Sequence, residues 1–497
     1  VIAAATTEEA LELRHRMAPA VDEIEMRLDT LDRVDLAALL SHRPVPVLVT
    51  ARPRWEGGHF RGTEAERIAL LEEASRLGAE AVDVEHAAPT LPRLRSGTRL
   101  VLSSHDFERT PEDLARRLRD MRRREPSEVK IVPTVHTAAD LVAVRSLLAL
   151  GLGEPGAPLT CFGMGEEGIP SRILALAWGS HAVYLASGSG SRVAAGQLTV
   201  EEFRGLYRGD RLGKEAEVFG VVGSPVAHSL GPLLHNAHLA RLERDAVYVP
   251  FLCRDLFDLA VQAPALGVRG LSVTIPHKRA AAELATLRDD ESARCGAANT
   301  LLREPGSEGV QWSAFSFDGA AACGALAAGC GGAAGLRARL ADSEVVIVGA
   351  GGTAAAIGHV LRSQGARGIV VNRGREAGEA LARSLGFRFA PLEELAALRP
   401  GVLVHTTPVG MEPNVEACVV PESVLQPGCV VLDAVYRPLR TRLLALAARR
   451  GCTTVSGLEM FLRQAALQAR RFTGEELDLD PARQLLLEAM NGGASPP

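Results

Sequence analysis

Residues 344–373 read EVVIVGAGGTAAAIGHVLRSQGARGIVVNR. Four apolar, mostly β-branched residues run into a glycine turn, a helical stretch over 353–364 and a second apolar strand over 368–372. Gly349, Ala350, Gly351, Gly352, Thr353 and Ala354 fit the spacing G-x-G-x-x-G/A. Glycines at those positions let backbone N–H groups approach a pyrophosphate at a helix N-terminus. A match inside a strand–turn–helix–strand unit predicts a dinucleotide-binding lobe. The second strand ends in Asn372 and Arg373, with Arg375 close behind. An acidic residue there would hold ribose hydroxyls, whereas arginines offer charge and forked donors to a 2′-phosphate, so NADP(H) is expected.

Working toward the N-terminus, strands are expected at 218–222, 246–250, 271–275 and 299–303, followed by an Ala/Gly-rich stretch over 319–335. Residues 208–217 are polar and charged, as a domain boundary would be. Before them, apolar strands at 1–4, 24–28, 45–50, 81–85, 99–104, 128–132, 159–163 and 182–186 alternate with helical stretches such as 6–17, 63–77, 111–124 and 137–150. That alternation predicts a (β/α)8 barrel. The expected class is α/β, with an N-terminal barrel and a second half that contains a Rossmann-like lobe. The polar stretch at 208–217 sets the expected domain boundary.

Composition sets outer limits. The 497 residues carry 55 Lys plus Arg against 60 Asp plus Glu, a net charge of −5, with 47% apolar residues. This predicts sizeable cores and no basic footprint for nucleic acid or membrane. The eight cysteines form no Cys-x-x-Cys pair. They read as reduced thiols in a cytoplasmic protein, with no metal site.

Strand 24–28 alternates: Ile24, Met26 and Leu28 share one face, and Glu25, Arg27 and Asp29 the other. With the apolar set against helices, the charges point into the barrel or its mouth. Lys130 repeats this between Val129 and Ile131. Desolvation disfavours a charged amine, and a neutral amine can attack a ketone to form a Schiff base. His105 with Asp106, Arg52 with Glu56, and Arg172 follow other strands, at the end where barrel active sites lie. A histidine shuttles protons near neutral pH, and arginines suit a carboxylate. In the second half, Lys278 follows strand 271–275.

In order, EMRLD, R-x-x-x-EGG, SSHDF, EVKIV, GMGEEGIPSR and AAGQLT resemble the motifs of type I 3-dehydroquinate dehydratase across nearly all of 20–203. The resemblance implies a Schiff base on Lys130 and proton transfer by His105. It also implies substrate contacts from Glu25, Arg27, Glu56, Arg172 and Gln197; Arg52 is added from its strand-end position. Val193 stands where that family usually has Ser, with Ser189 and Ser191 nearby. VGSPVAHSLGPLLHN, LSVTIPHK, GAANTL, FDG, TTPVGM, VYRPLRTRLL and GLEMFLRQAALQ resemble shikimate dehydrogenase across about 217–490. This implies that Ser229, Thr274, Lys278, Asn299, Asp318, Tyr436 and Gln464 contact substrate. It implies that Lys278 pairs with Asp318 to hold a substrate hydroxyl and supply a proton while hydride moves at the same carbon. The same resemblance implies a two-lobed second half and the finer division of the chain, 1–209, 217–320 with 455–497 packing back, and 321–454. Gly231 stands where that family usually has a second Ser.

Together these imply a bifunctional, metal-independent enzyme. It would dehydrate 3-dehydroquinate and reduce the product to shikimate with NADPH. Two rivals are a quinate-using pair, because Gly231 leaves room for an extra hydroxyl, and a non-enzymatic metabolite sensor. The retained Lys130, His105, Lys278 and Asp318 weigh against the sensor. The sequence does not address oligomeric state.

Overall fold

A computed structural model describes residues 1–188, 190, 192–226, 229–304 and 311–491. The chain divides into two units: Val1–Val218 with Leu239–Val268, and Phe219–His238 with the chain from Arg269 on. The expected boundary near 209–217 therefore has an addition. Residues 239–268 count with the barrel, because Asp258 accepts the Ala138 N–H at 2.9 Å and Arg145 donates to the Ala265 carbonyl.

In the first unit, β1 (Ile24–Arg27), β2 (Val47–Thr50), β3 (Ala81–Glu85), β4 (Arg99–Asp106), β5 (Glu128–Pro133) and β6 (Leu159–Cys161) lie side by side in chain order, all parallel. The expected first and last barrel strands make only single bridges, Ile2 to Met26 and Ala186 to Thr199. The first is held by Ile2 N–H to the Glu25 carbonyl at 2.8 Å and Arg27 N–H to the Ile2 carbonyl at 3.0 Å.

Alternation along the strands builds both the core and the site. Ile24, Met26, Val82, Val84, Val129 and Ile131 are each at most 2% exposed. Their intervening neighbours Glu25, Asp83, Glu85 and Lys130 are also buried. Because apolar residues occupy the helix-facing side of each strand, the charges lie inside the barrel.

The next strands are β7 (Glu217–Gly223), β8 (Ala246–Leu252), β9 (Val268–Val273), β10 (Leu287–Arg288), β11 (Thr300–Arg303) and β12 (Trp312–Phe315). Their sheet order is β10-β12-β11-β9-β7-β8, with β11 antiparallel to both neighbours. The last six are β13 (Val345–Val348), β14 (Gly368–Asn372), β15 (Arg388–Pro391), β16 (Val402–His405), β17 (Val430–Asp433) and β18 (Thr453–Val455). They form a parallel sheet in the order β15-β14-β13-β16-β17-β18. Strand order reverses between β13 and β16, where open α/β sheets bind ligands at the strand C-termini. Among the described residues no single helix is long and apolar enough to cross a membrane.

Helix Gly457–Thr473 is fastened to β9 and β11 by one side chain. Gln468, 2% exposed, accepts the Ser272 hydroxyl at 2.9 Å. It donates to the Asn299 carbonyl and Thr300 hydroxyl at 3.0 Å each. Gln468→Leu strands those partners, and a buried unsatisfied polar group costs about 1–3 kcal/mol. The substitution should lower the urea midpoint of this unit; an unchanged midpoint would show that the three bonds contribute nothing net.

Candidate active sites

Lys130 Nζ lies 3.3 Å from Asp83 Oδ2, 3.9 Å from Glu25 Oε1 and 3.7 Å from the centroid of the Tyr184 ring. Glu25, Asp83 and Lys130 come from β1, β3 and β5, alternate strands of the barrel, which is how one layer of a barrel interior is built, and Tyr184 comes from the stretch 182–186 that follows β6. The buried lysine is thus not alone in an apolar wall but stands beside two buried carboxylates. Asp83 also binds Arg52 at 3.0 Å and accepts the Ser103 hydroxyl at 2.6 Å. Burial disfavours its carboxylate, yet Arg52 and Lys130 hold its pKa below the ordinary range. Arg52 continues to Glu85 at 2.8 Å, and Glu85 to the fully buried Arg67 at 2.6 Å.

His105 ends β4 beside Glu56. Glu56 Oε1 accepts both the His105 backbone N–H at 2.9 Å and the Nδ1 side at 2.8 Å. Burial pushes the Glu56 carboxyl up to about 7, and burial, then Arg52 and Lys130, hold the imidazole well below its ordinary pKa. Both shifts favour neutral forms, so the imidazole is a neutral base at physiological pH.

Arg27 pairs with Asp29 at 2.7 Å. Arg172, 2% exposed, has no partner for Nε among the described residues, stands 4.6 Å above the Phe162 ring, and is brought by burial down to about 9. A buried guanidinium with a donor left over suits an anionic ligand. Gln197 is held by the Val193 N–H at 2.8 Å and donates to the Tyr184 carbonyl at 3.4 Å. Ser189 and Ser191 lie outside the described residues. Asp83, Glu85, Arg67 and Tyr184 were not foreseen as site residues. The signal for the two acids was present: in AVDVE they alternate with valines as Glu25 does with Ile24 and Met26.

In the second unit, Lys278 Nζ binds Asp318 Oδ2, and Thr353 Oγ1 touches both, at 2.9 Å from Nζ and 3.1 Å from Oδ2. Asn299 donates to the other Asp318 oxygen at 2.7 Å and accepts the Phe317 N–H at 3.1 Å. Thr274 follows β9, its N–H on the Val222 carbonyl at 3.0 Å. Its Cγ2 fills the space a Cβ on Gly223 would need. Ser229 Oγ accepts the Gly231 N–H at 3.1 Å, at the start of helix Gly231–Arg241. Tyr436 stacks on Phe461 at 5.2 Å. Gln464, also on helix Gly457–Thr473, is half-buried and shows no hydrogen bond among the described contacts.

The glycine turn divides its work. Gly349 has φ +118°, and a Cβ there would lie 2.4 Å from Thr406 Oγ1. Gly351 caps helix Gly352–Ser363 and faces open space, with nothing within 4 Å of a built Cβ. Gly352 admits Lys278 and Ala297, whose Cβ atoms would lie 3.4 and 3.1 Å away. Ala350 packs against the core of this lobe and Ala354 is buried in it. The open Gly351 cradle at a helix N-terminus fits a pyrophosphate. Asn372 caps its own turn through the Gly374 carbonyl at 2.8 Å. Arg375 is already paired with Glu379 at 2.9 Å, whereas Arg373 is exposed and makes no ion pair among the described contacts. The following loops are tied together by His405, which binds Asp433 at 2.8 Å and Thr407 at 2.5 Å, while Thr441 donates to Asp433 at 2.6 Å.

Comparison with known proteins finds relatives of both halves of the chain. Residues 1–213 match the family Type I 3-dehydroquinase, residues 221–301 the shikimate dehydrogenase substrate binding domain, and residues 457–487 the shikimate 5'-dehydrogenase C-terminal domain. A bifunctional 3-dehydroquinate dehydratase/shikimate dehydrogenase, chloroplastic, from Arabidopsis thaliana is 33% identical over 91% of this chain and 78% of its own length. A shikimate dehydrogenase (NADP(+)) from Syntrophobacter fumaroxidans is 37% identical over 51% of this chain and 86% of its own. A crystal structure of shikimate dehydrogenase in complex with NADP+ superposes with a TM-score of 0.51 at 30% identity, covering 56% of this chain and 97% of that one.

The turn geometry separates two substitutions. Gly349→Ala meets a positive φ and a hydroxyl, and should cost about 2 kcal/mol or more. Gly351→Ala should leave the melting temperature unchanged, yet weaken dinucleotide binding by filling the cradle. Calorimetric melting and cofactor titration of both variants check this; equal melting temperatures would refute the division of roles.

Proposed function

The chain belongs to the bifunctional 3-dehydroquinate dehydratase/shikimate dehydrogenase family, and from that premise we propose how its own residues perform the two reactions. The dehydratase half converts 3-dehydroquinate to 3-dehydroshikimate; the dehydrogenase half reduces that product to shikimate with NADPH. The observation that carries the assignment of residues is the buried Lys130, layered with Asp83 and Glu25 and close to His105 in the barrel network.

Lys130 Nζ attacks the substrate ketone, water leaves, and a protonated imine forms. His105 Nδ1 is engaged by Glu56 at 2.8 Å, and with the tautomer assigned so that Nδ1 carries the proton, Nε2 is the base. It removes the proton α to the imine carbon, and the imine takes up the electron pair as an enamine. The enamine expels the β-hydroxyl, which His105 protonates so that it departs as water. Hydrolysis of the imine then frees Lys130. Arg172, buried and unpartnered at Nε, holds the substrate carboxylate, and Arg27, Arg52, Glu25 and Gln197 fix the hydroxyl side.

For the reduction, Asp318 holds the substrate hydroxyl and Lys278 delivers a proton to the carbonyl oxygen. Ser229, Thr274, Asn299, Tyr436 and Gln464 surround the ring. NADPH, when bound, supplies the hydride. Gly349 to Ala354 would form the turn that holds its pyrophosphate, and the exposed Arg373 would supply a charged donor to its 2′-phosphate. The product of the first reaction is the substrate of the second, which gives the fusion its chemical sense. Eight free cysteines support a reducing, cytoplasmic setting.

Borohydride added with 3-dehydroquinate should trap an adduct on Lys130, and Lys130→Ala should abolish trapping and dehydration with reduction intact. An adduct on another lysine would overturn the assignment. Separately, Arg373→Ala removes a charge-assisted contact of about 1.5–3 kcal/mol, so it should weaken NADP(H) by tenfold or more while barely changing NAD(H). Equal losses for both cofactors would remove Arg373 from the 2′-phosphate site.

A further inference from the structure

We propose that Tyr184 is a positioning residue for the dehydration, its ring face keeping the imine nitrogen on Lys130 protonated. The proposal rests on Lys130 as the Schiff-base lysine and goes beyond it. The Tyr184 centroid is 3.7 Å from Lys130 Nζ, closer than the roughly 6 Å at which a cation feels an aromatic face. The ring is fixed on both sides. It packs on Leu48, Ala81 and Val101, and on Val132, Phe162 and Met164. Burial keeps its hydroxyl well above the ordinary tyrosine range, so the ring stays a neutral phenol.

The chemistry of the imine gives this face its task. A free ammonium has three N–H donors, but the protonated imine has one. The hydrogen bonds the nitrogen can donate to carboxylates such as Asp83 therefore diminish just when the charge must be retained. The protonated imine alone is an effective electron sink, because the electron pair of the departing α-proton must end on nitrogen. A ring face needs no donor; it stabilises the charge whatever the number of N–H bonds. The second cation of the site has the same support: Arg172 stands 4.6 Å from the Phe162 ring, itself 6.1 Å from Tyr184. The aromatic pair forms a floor beneath both cations.

The other titratable groups around the nitrogen are Glu25 from β1, Asp83 from β3 with its partner Arg52, the neutral His105 from β4, and the Val1 amine. A test must leave all of them in place. Full-length chain carrying Tyr184→Phe is the parent, and phenylalanines with one, two and three ring fluorines are then incorporated at the same position. Fluorine weakens the ring's negative face while nearly preserving its shape. Each variant is read for the alkaline limb of dehydration kcat and for borohydride trapping on Lys130 by peptide mass spectrometry. Tyr184→Phe should keep the limb of the unsubstituted chain. Successive fluorines should move it stepwise to lower pH, by about one unit across the series. A limb that stays put while Lys130 is still trapped overturns the role of Tyr184 and leaves the Schiff base intact. No adduct on Lys130 in the unsubstituted chain overturns the Schiff-base assignment, and this proposal with it.

Discussion

Lys130 is held inside the first barrel at 4% exposure, and the arrangement around it follows from that burial. A charge cannot be taken out of water without compensation. Asp83 supplies the nearest opposite charge, but Asp83 is itself fully buried and needs Arg52 and Ser103. Arg52 in turn needs Glu85, and Glu85 needs Arg67. The chain of pairs ends where Arg67 reaches the half-exposed Glu64 at the rim. The interior of this barrel is thus a continuous polar network enclosed by an apolar wall. Its side chains have little freedom, and this is what presents one lysine and one neutral imidazole to a substrate in fixed geometry.

The second active site meets a different constraint. Lys278, Asp318 and Thr353 form a tight triangle because Gly352 has no Cβ to keep the lysine away from the turn. The glycine turn therefore has two structural consequences: Gly351 leaves open space at a helix N-terminus, and Gly352 draws Lys278 against the start of the same helix. The Lys278–Asp318 pair and the glycine turn are one packed unit, so displacement of either is felt by the other.

Much of this was legible in the sequence. Strand periodicity located the charged faces, and Glu25, Glu56, His105 and Lys130 do converge in one network. The glycine spacing found the β13 turn. Tyr184 was missed because an aromatic residue in an apolar strand carries no sign of which cation it will face. Gln468 was missed because it lies on the same helix as the expected Gln464, and only packing decides which is buried. Arg375 was read beside Arg373 as a phosphate ligand, but its position four residues before Glu379 on a helix gives it a local partner. The outer barrel strands were read as full strands, since sequence alternation does not report how many backbone bonds a neighbour can accept.

The central claim is that the buried charge network, and not Lys130 alone, makes the barrel competent for Schiff-base chemistry. Asp83→Asn tests it most directly, because it keeps the shape of the side chain and removes only the charge that links Lys130 to Arg52. Both reactions can be followed on the same purified chain. The account predicts a loss of dehydration by about 10²-fold or more, the scale expected when a buried charge pair of about 3–5 kcal/mol is broken, with reduction of 3-dehydroshikimate unchanged. Dehydration within twofold of the unsubstituted chain would contradict it.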